Sequence, residues 1–199
     1  VMRTGTTSGL FRTVDIYDDH VEKIFNETNV EEGECEESEI AVAQANEITI
    51  SKAYPNNLCF APVLENSTIY KVRMQKANPL NEETLCYDKK DFTDAKSLVK
   101  KIVEPLISQY KDHSIWDIVA HDVVRPCLAY ERGTGKYIDY LDFVKNFVKI
   151  YKQDKDLAEA LMDDCHTGNL GIFNHRIVMI DYGCVNYCYD TNYYEQEYK

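Results

Sequence analysis

Residues 161–183, Leu-Met-Asp-Asp-Cys-His-Thr-Gly-Asn-Leu-Gly-Ile-Phe-Asn-His-Arg-Ile-Val-Met-Ile-Asp-Tyr-Gly, constrain this chain more than any other stretch. Two short apolar runs, 170–172 and 177–180, flank Asn174 and His175, which predicts a tight β-hairpin. The loop before it carries Asp164, His166 and Asn169, and its second strand delivers Asp181 just ahead of Tyr182 and Gly183. Such a hairpin can gather Asp164, Asn169 and Asp181 at one end. Amide and carboxylate oxygens are hard donors that suit magnesium on a phosphorylated substrate. A further carboxylate can take the proton from an attacking hydroxyl. The plain alternative is a buried hairpin whose Asp and Asn residues only cap turns.

The N-terminal part predicts an antiparallel sheet. Gly5 and Gly9, with Thr6, Thr7 and Ser8 between them, predict a flexible turn rich in N–H and hydroxyl donors, able to fold over phosphates. Residues 11–17 alternate as a strand does, 18–20 form a turn, and 21–25 alternate again with Val21 and Lys23 on one face. An acidic run then gives way to helical composition at 40–45, with Glu36, Glu37 and Glu39 near the helix start. Residues 59–64 and 68–74 predict two more strands around a polar turn at 65–67, making about five.

From Asp88 onward the pattern is helical. Thr93 and Asp94 can cap a helix carrying Leu98, Val99, Ile102, Leu106 and Ile107, with Pro105 kinking or ending it. Trp116, Ile118, Val119 and Val123 mark another packed segment. Residues 137–151 form the strongest helix, apolar over so wide a face that it must be buried, and 154–156 break it. Residues 132–136, Arg-Gly-Thr-Gly-Lys, lack the spacer and the hydroxyl residue of a phosphate-binding loop and read as an ordinary loop.

Asp164-x-His166-x-Gly168-Asn169 followed by Ile180-Asp181-Tyr182-Gly183 resembles the paired motifs of the protein-kinase-like superfamily. The wording is nearest to aminoglycoside and choline kinase-like phosphotransferases and to small bacteriophage protein kinases. The resemblance implies an α+β, two-lobed kinase-like fold, with a β-rich N-lobe over 1–78 and a shortened helical C-lobe over 79–199. It implies ATP and magnesium between the lobes. Asp164 matches the catalytic-loop Asp, with His166 orienting the loop, and Asn169 and Asp181 match the metal ligands. Lys23 matches the lysine on the strand after the glycine turn, which would hold phosphates together with Gly5, Ser8 and Gly9. A helix glutamate would hold Lys23, with Glu39 preferred over Glu36 and Glu37 because it shares a face with Val42 and Ala43. Met74 and Lys76 fall in the segment matching the hinge that pairs with adenine.

Met162 replaces the usual His or Tyr two residues before the catalytic Asp, and Tyr182 replaces Phe; both suit the phosphotransferase branch. Only sixteen residues follow Gly183, so the peptide-binding half of a standard C-lobe does not fit in this sequence. The function implied is a small phage-type serine/threonine protein kinase acting on host proteins. Two alternatives remain: a small-molecule phosphotransferase and a pseudokinase-like binding protein.

Composition narrows the partners. The net charge of −12 repels phosphate backbones, which argues against direct nucleic-acid binding. No apolar run reaches the roughly 20 residues a bilayer requires, and no signal peptide is read at the start. Seven cysteines without regular spacing read as reduced thiols of a cytoplasmic protein, in a host cytoplasm if the source is viral. A zinc site from Cys165, His166, Cys184 and Cys188 is a lesser alternative, because the spacings are irregular.

Overall fold

The computed structural model describes residues 1–8, 12–25, 37–108 and 114–183. The structure is α+β, a four-stranded antiparallel sheet followed by a mostly helical region. It divides into two compact units. One holds Val1–Asn57, Ala61–Lys76 and residues 181–183, and the other holds Leu58–Phe60 and Ala77–Ile180. The chain enters the second unit briefly at Leu58–Phe60, enters it again at Ala77 and rejoins the first unit at Asp181.

In the first unit, β1 (Arg3–Ser8), β2 (Arg12–Tyr17), β3 (His20–Phe25) and β4 (Lys71–Gln75) form the sheet in that order. Lys23 sits opposite Val14 on one side and Val72 on the other, so β3 is an interior strand. Gly5 does not sit in a turn. It lies inside β1 opposite Ile16, next to a register irregularity, because Thr6 and Thr7 favour the extended ladder and carry it through to Ser8. Gly9 and the rest of the connection at 9–11 lie outside the described residues.

The strand expected at 59–64 shrinks to two isolated bridges, Phe60 with Met179 and Val63 with Met74, the second flanked by backbone hydrogen bonds from Leu64 to Arg73 and from Gln75 to Pro62, both 2.8 Å. Pro62 has no N–H to extend the ladder. The next strand starts only at Lys71, because Thr68 and Lys71 exchange backbone hydrogen bonds of 2.9 and 3.1 Å in a tight turn.

Helix α1 (Glu37–Ala53) runs well beyond the predicted stretch. Residues 43–48 are all buried, including Gln44, Asn46 and Glu47. A helix buried around its whole circumference shows no single apolar stripe, which is why its length was not readable from periodicity.

In the second unit, β5 (Asn78–Pro79), β6 (Leu170–Phe173) and β7 (Arg176–Met179) form a small antiparallel sheet. Asn174 and His175 turn the hairpin with φ of 50° and 62°, the left-handed pair that a two-residue turn of the favoured twist requires. Helix α2 (Asp91–Val103) stops just before Pro105, which offers no N–H to continue it. Helix α3 (Ser114–Val119) passes through a π-helical turn, Ala120–Val124, into α4 (Arg125–Thr134). The Arg-Gly-Thr-Gly-Lys stretch is the end of α4 and its cap, with Gly135 left-handed at φ 71°.

Helix α5 (Leu141–Gln153) fills the core with Phe143, Val144, Phe147, Val148 and Ile150, each buried. Burying each such side chain is worth about 1.5–3 kcal/mol. Trp116 packs edge-on against Phe147 and Tyr151, with ring centroids 5.7 and 5.2 Å apart. Asp154 ends α5 and caps α6 (Lys155–Asp163) by accepting from the Leu157 N–H at 3.0 Å. Among the described residues no helix is long and apolar enough to cross a membrane.

Candidate functional site

The polar side chains of α1 build a buried hub in the first unit. Glu47 is fully buried and accepts four hydrogen bonds. They come from Lys23 Nζ at 2.6 Å, Arg12 Nη1 and Nη2 at 2.8 and 3.0 Å, and the Tyr182 N–H at 3.3 Å. Gln44 accepts from Arg12 Nη1 at 2.8 Å and donates to the Lys23 carbonyl at 2.9 Å, which ties β2 and β3 to one turn of helix. Asn46 donates to the Gly183 carbonyl at 2.6 Å. Arg12 Nη2 also donates to Asp181 Oδ1.

The Asp181-Tyr182-Gly183 segment is therefore clamped on α1. The Tyr182 hydroxyl donates to the Ala61 carbonyl at 3.1 Å while its ring is buried. Gly183 lies so close to α1 that a Cβ there would stand 2.7 Å from the Ala43 carbonyl oxygen.

Sequence prediction puts Glu39 opposite Lys23; the structure puts Glu47 there, eight residues or about 12 Å further along the helix axis. The difference arises because α1 extends to Ala53, so the turn that faces β2 and β3 is the one bearing Gln44 and Glu47. Glu36 and the side chains of Glu37 and Glu39 lie outside the described residues. Asn46, a polar residue buried on the same helix, holds Gly183.

The charges in this hub shift one another. Burial opposes the Arg12 charge, yet Glu47 and Asp181 outweigh it and raise its pKa above the usual value. Burial also works against the Asp181 carboxylate, but Arg12 and then Lys23 hold it well below the ordinary range. Lys23 moves down, first through burial and then through repulsion by Arg12. Only Asp181 opens outward, its side chain 46% exposed against 7% for Arg12.

Other predicted residues of the first unit have structural partners. Met74 is buried opposite Val21. Lys76 ties down the end of β2, its Nζ donating to the Tyr17 carbonyl at 3.0 Å. Ser8 pairs with Thr13 across the hairpin.

The second unit carries the loop residues. Asp164 closes α6 and is exposed, and its carbonyl accepts from Asn169 Nδ2 at 2.6 Å. Asn169 is buried. Its N–H donates to the His166 carbonyl at 2.9 Å, and its own carbonyl accepts from Ile180 at 2.8 Å. His166 caps the 3-10 turn Thr167–Asn169, its Nδ1 accepting from the Gly168 N–H at 3.1 Å.

Taken one by one, the half-exposed Asp181 carboxylate and the Asn169 amide oxygen fit the oxygen-only donor set of magnesium. Among the described residues no three His, Cys, Asp or Glu side chains come together as a metal-binding group. For the zinc alternative, Cys184 and Cys188 lie outside the described residues, and burial pushes the Cys165 thiol up, away from thiolate ligation.

Arg12, Gln44 and Glu47 were missed as site residues. The signal for Gln44 and Glu47 is polar residues recurring inside an otherwise apolar helical run, Ile40 to Ile50, which points to a buried polar face; Arg12, on β2, carries no such signal. No protein-family model, curated protein or solved structure matches the chain.

Proposed function

We propose that this chain is an ATP- and magnesium-dependent phosphotransferase with a kinase-like arrangement of its site. The observation that carries the reading is the buried Lys23–Glu47 ion pair at 2.6 Å, with Asp181-Tyr182-Gly183 anchored on the same helix. A lysine on an interior strand, a glutamate on the following helix and an aspartate from the far end of the chain meet in one hub. A buried ion pair is a poor device for stability alone, since apolar residues of the same size serve as well or better. Its upkeep makes sense where a fixed cation must face an anionic substrate.

In this reading Lys23 binds phosphate oxygens, and Glu47 fixes its position. Asp181 would serve as a magnesium ligand, the role the motif resemblance also gives to Asn169, and the metal would supply neutralisation of charge on the transferred group. Asp164, exposed at the end of α6, orients the acceptor hydroxyl and takes its proton. Asn169 Nδ2 and the His166 cap fix the shape of that loop, so the catalytic effect is mainly positioning. The acceptor proposed is a serine or threonine hydroxyl of a protein. A cationic small molecule is the second reading, favoured by the net charge of −12.

The test is incubation with γ-labelled ATP and magnesium, alone and with a cell lysate, beside Asp164→Asn. Label on protein bands that is lost in the variant supports a protein kinase. ATP consumed without protein label moves the acceptor to a small molecule. A chain that neither binds nor turns over nucleotide refutes the assignment.

A further inference from the structure

Arg12 has no counterpart among the residues that the motif resemblance supplies, yet it makes four hydrogen bonds in the hub, as many as Glu47. Its two terminal nitrogens carry four hydrogens. All four meet acceptors: Gln44 Oε1 and Glu47 Oε2 at 2.8 Å from Nη1, Glu47 Oε1 at 3.0 Å from Nη2, and Asp181 Oδ1 from Nη2. None of these hydrogens is left for a phosphate. The Asp181 carboxylate it holds is 46% exposed. Arg12 is therefore placed to act on Asp181 rather than on a ligand.

The charge balance gives that action a direction. Arg12 and Lys23 carry two positive charges, and Glu47 and Asp181 carry two negative ones, so the hub is neutral as it stands. A bare divalent cation arriving at Asp181 meets a carboxylate already neutralised by a guanidinium and backed by a second buried cation. A cation that brings anionic phosphates with it meets Lys23 as an added attraction. We infer that Arg12 is a positioning residue that tethers and neutralises Asp181, so that a divalent metal is refused alone and accepted only as a complex with a polyphosphate. This deepens the phosphotransferase reading and rests on Asp181 being a metal ligand.

The experiment is Mn2+ binding to the full chain, read from the electron paramagnetic resonance signal of free Mn2+, with and without a non-hydrolysable ATP analogue. Wild type is expected to bind Mn2+ at least about tenfold more tightly with the analogue than without it. Arg12→Met keeps the Lys23–Glu47 pair and is expected to bind bare Mn2+ at least about tenfold more tightly than wild type. Adding Asp181→Asn to that variant should remove the gain. Arg12→Lys keeps the charge and should still refuse the bare ion.

The inference is overturned if wild type binds Mn2+ equally well with and without the analogue, or if Arg12→Met gains nothing. It is also overturned if the gain survives Asp181→Asn, or if Arg12→Lys gains as much as Arg12→Met. If Arg12→Met does not fold, Arg12→Gln, which removes the charge and keeps an amide donor, is measured in its place with the same expected gain. Failure of the analogue to bind any form sinks the phosphotransferase reading instead, and the bare-ion comparison among the variants still judges Arg12.

Discussion

Replacing Glu47 by Gln keeps the size and one acceptor oxygen of the side chain but removes the charge that pairs with both buried cations. Glu47 is fully buried, and Arg12 and Lys23 are 6% and 5% exposed, so water cannot take over its role. Asp181 alone would face two cations, and it is half outside. Breaking a buried ion pair by removing one partner costs about 3–5 kcal/mol. That is a large share of the roughly 5–15 kcal/mol that holds a domain folded. For a chain of this length it corresponds to a melting temperature lower by about 6–20 °C. Lys23→Met should cost less, about 1.5–3 kcal/mol, because Glu47 keeps its two hydrogen bonds from Arg12 and a costly buried cation disappears. Urea unfolding followed by far-ultraviolet circular dichroism measures both, and the double variant should lose less than the sum of the two. A Glu47→Gln loss under about 1 kcal/mol, or a larger loss for Lys23→Met, would refute the view that Glu47 is the anchor of the hub.

Three further outcomes are expected. Gly183→Ala should cost about 1–3 kcal/mol and weaken nucleotide binding, since the new Cβ would stand 2.7 Å from the Ala43 carbonyl and push α1 off the hub; urea unfolding checks the stability and calorimetric titration with an ATP analogue the affinity. His175→Gly should raise stability by about 0.5–1 kcal/mol by relieving a left-handed φ of 62° at the hairpin turn, measured as a shift of the urea midpoint. Asp181 has a folded pKa below its unfolded value, so its stabilisation is fully present above about pH 4 and drains away as pH falls through the folded pKa. Asp181→Asn should accordingly flatten the acid limb of the stability profile below about pH 4; an unchanged limb would show that Arg12 does not stabilise the carboxylate.

The sequence by itself determined what short-range chemistry decides. Asn174 and His175 between two apolar runs specify the hairpin, because a two-residue turn must adopt left-handed φ and fixes the register of both strands. The wide apolar face of residues 137–151 specifies a buried helix, observed as Leu141–Gln153. His166, Gly168 and Asn169 interact within a few residues of one another, so their loop is also local. Tertiary structure alone decided which carboxylate meets Lys23. The candidates were acids on one helix, and the choice of Glu47 depends on how far α1 runs and which of its turns faces β2 and β3. The same long-range packing recruits Arg12 from β2 and Asp181 from 169 positions away, and it demands that residue 183 have no Cβ. Such pairings carry no periodic signal. They are set by the burial of several charges together, where each side chain is tolerated only because the others are present.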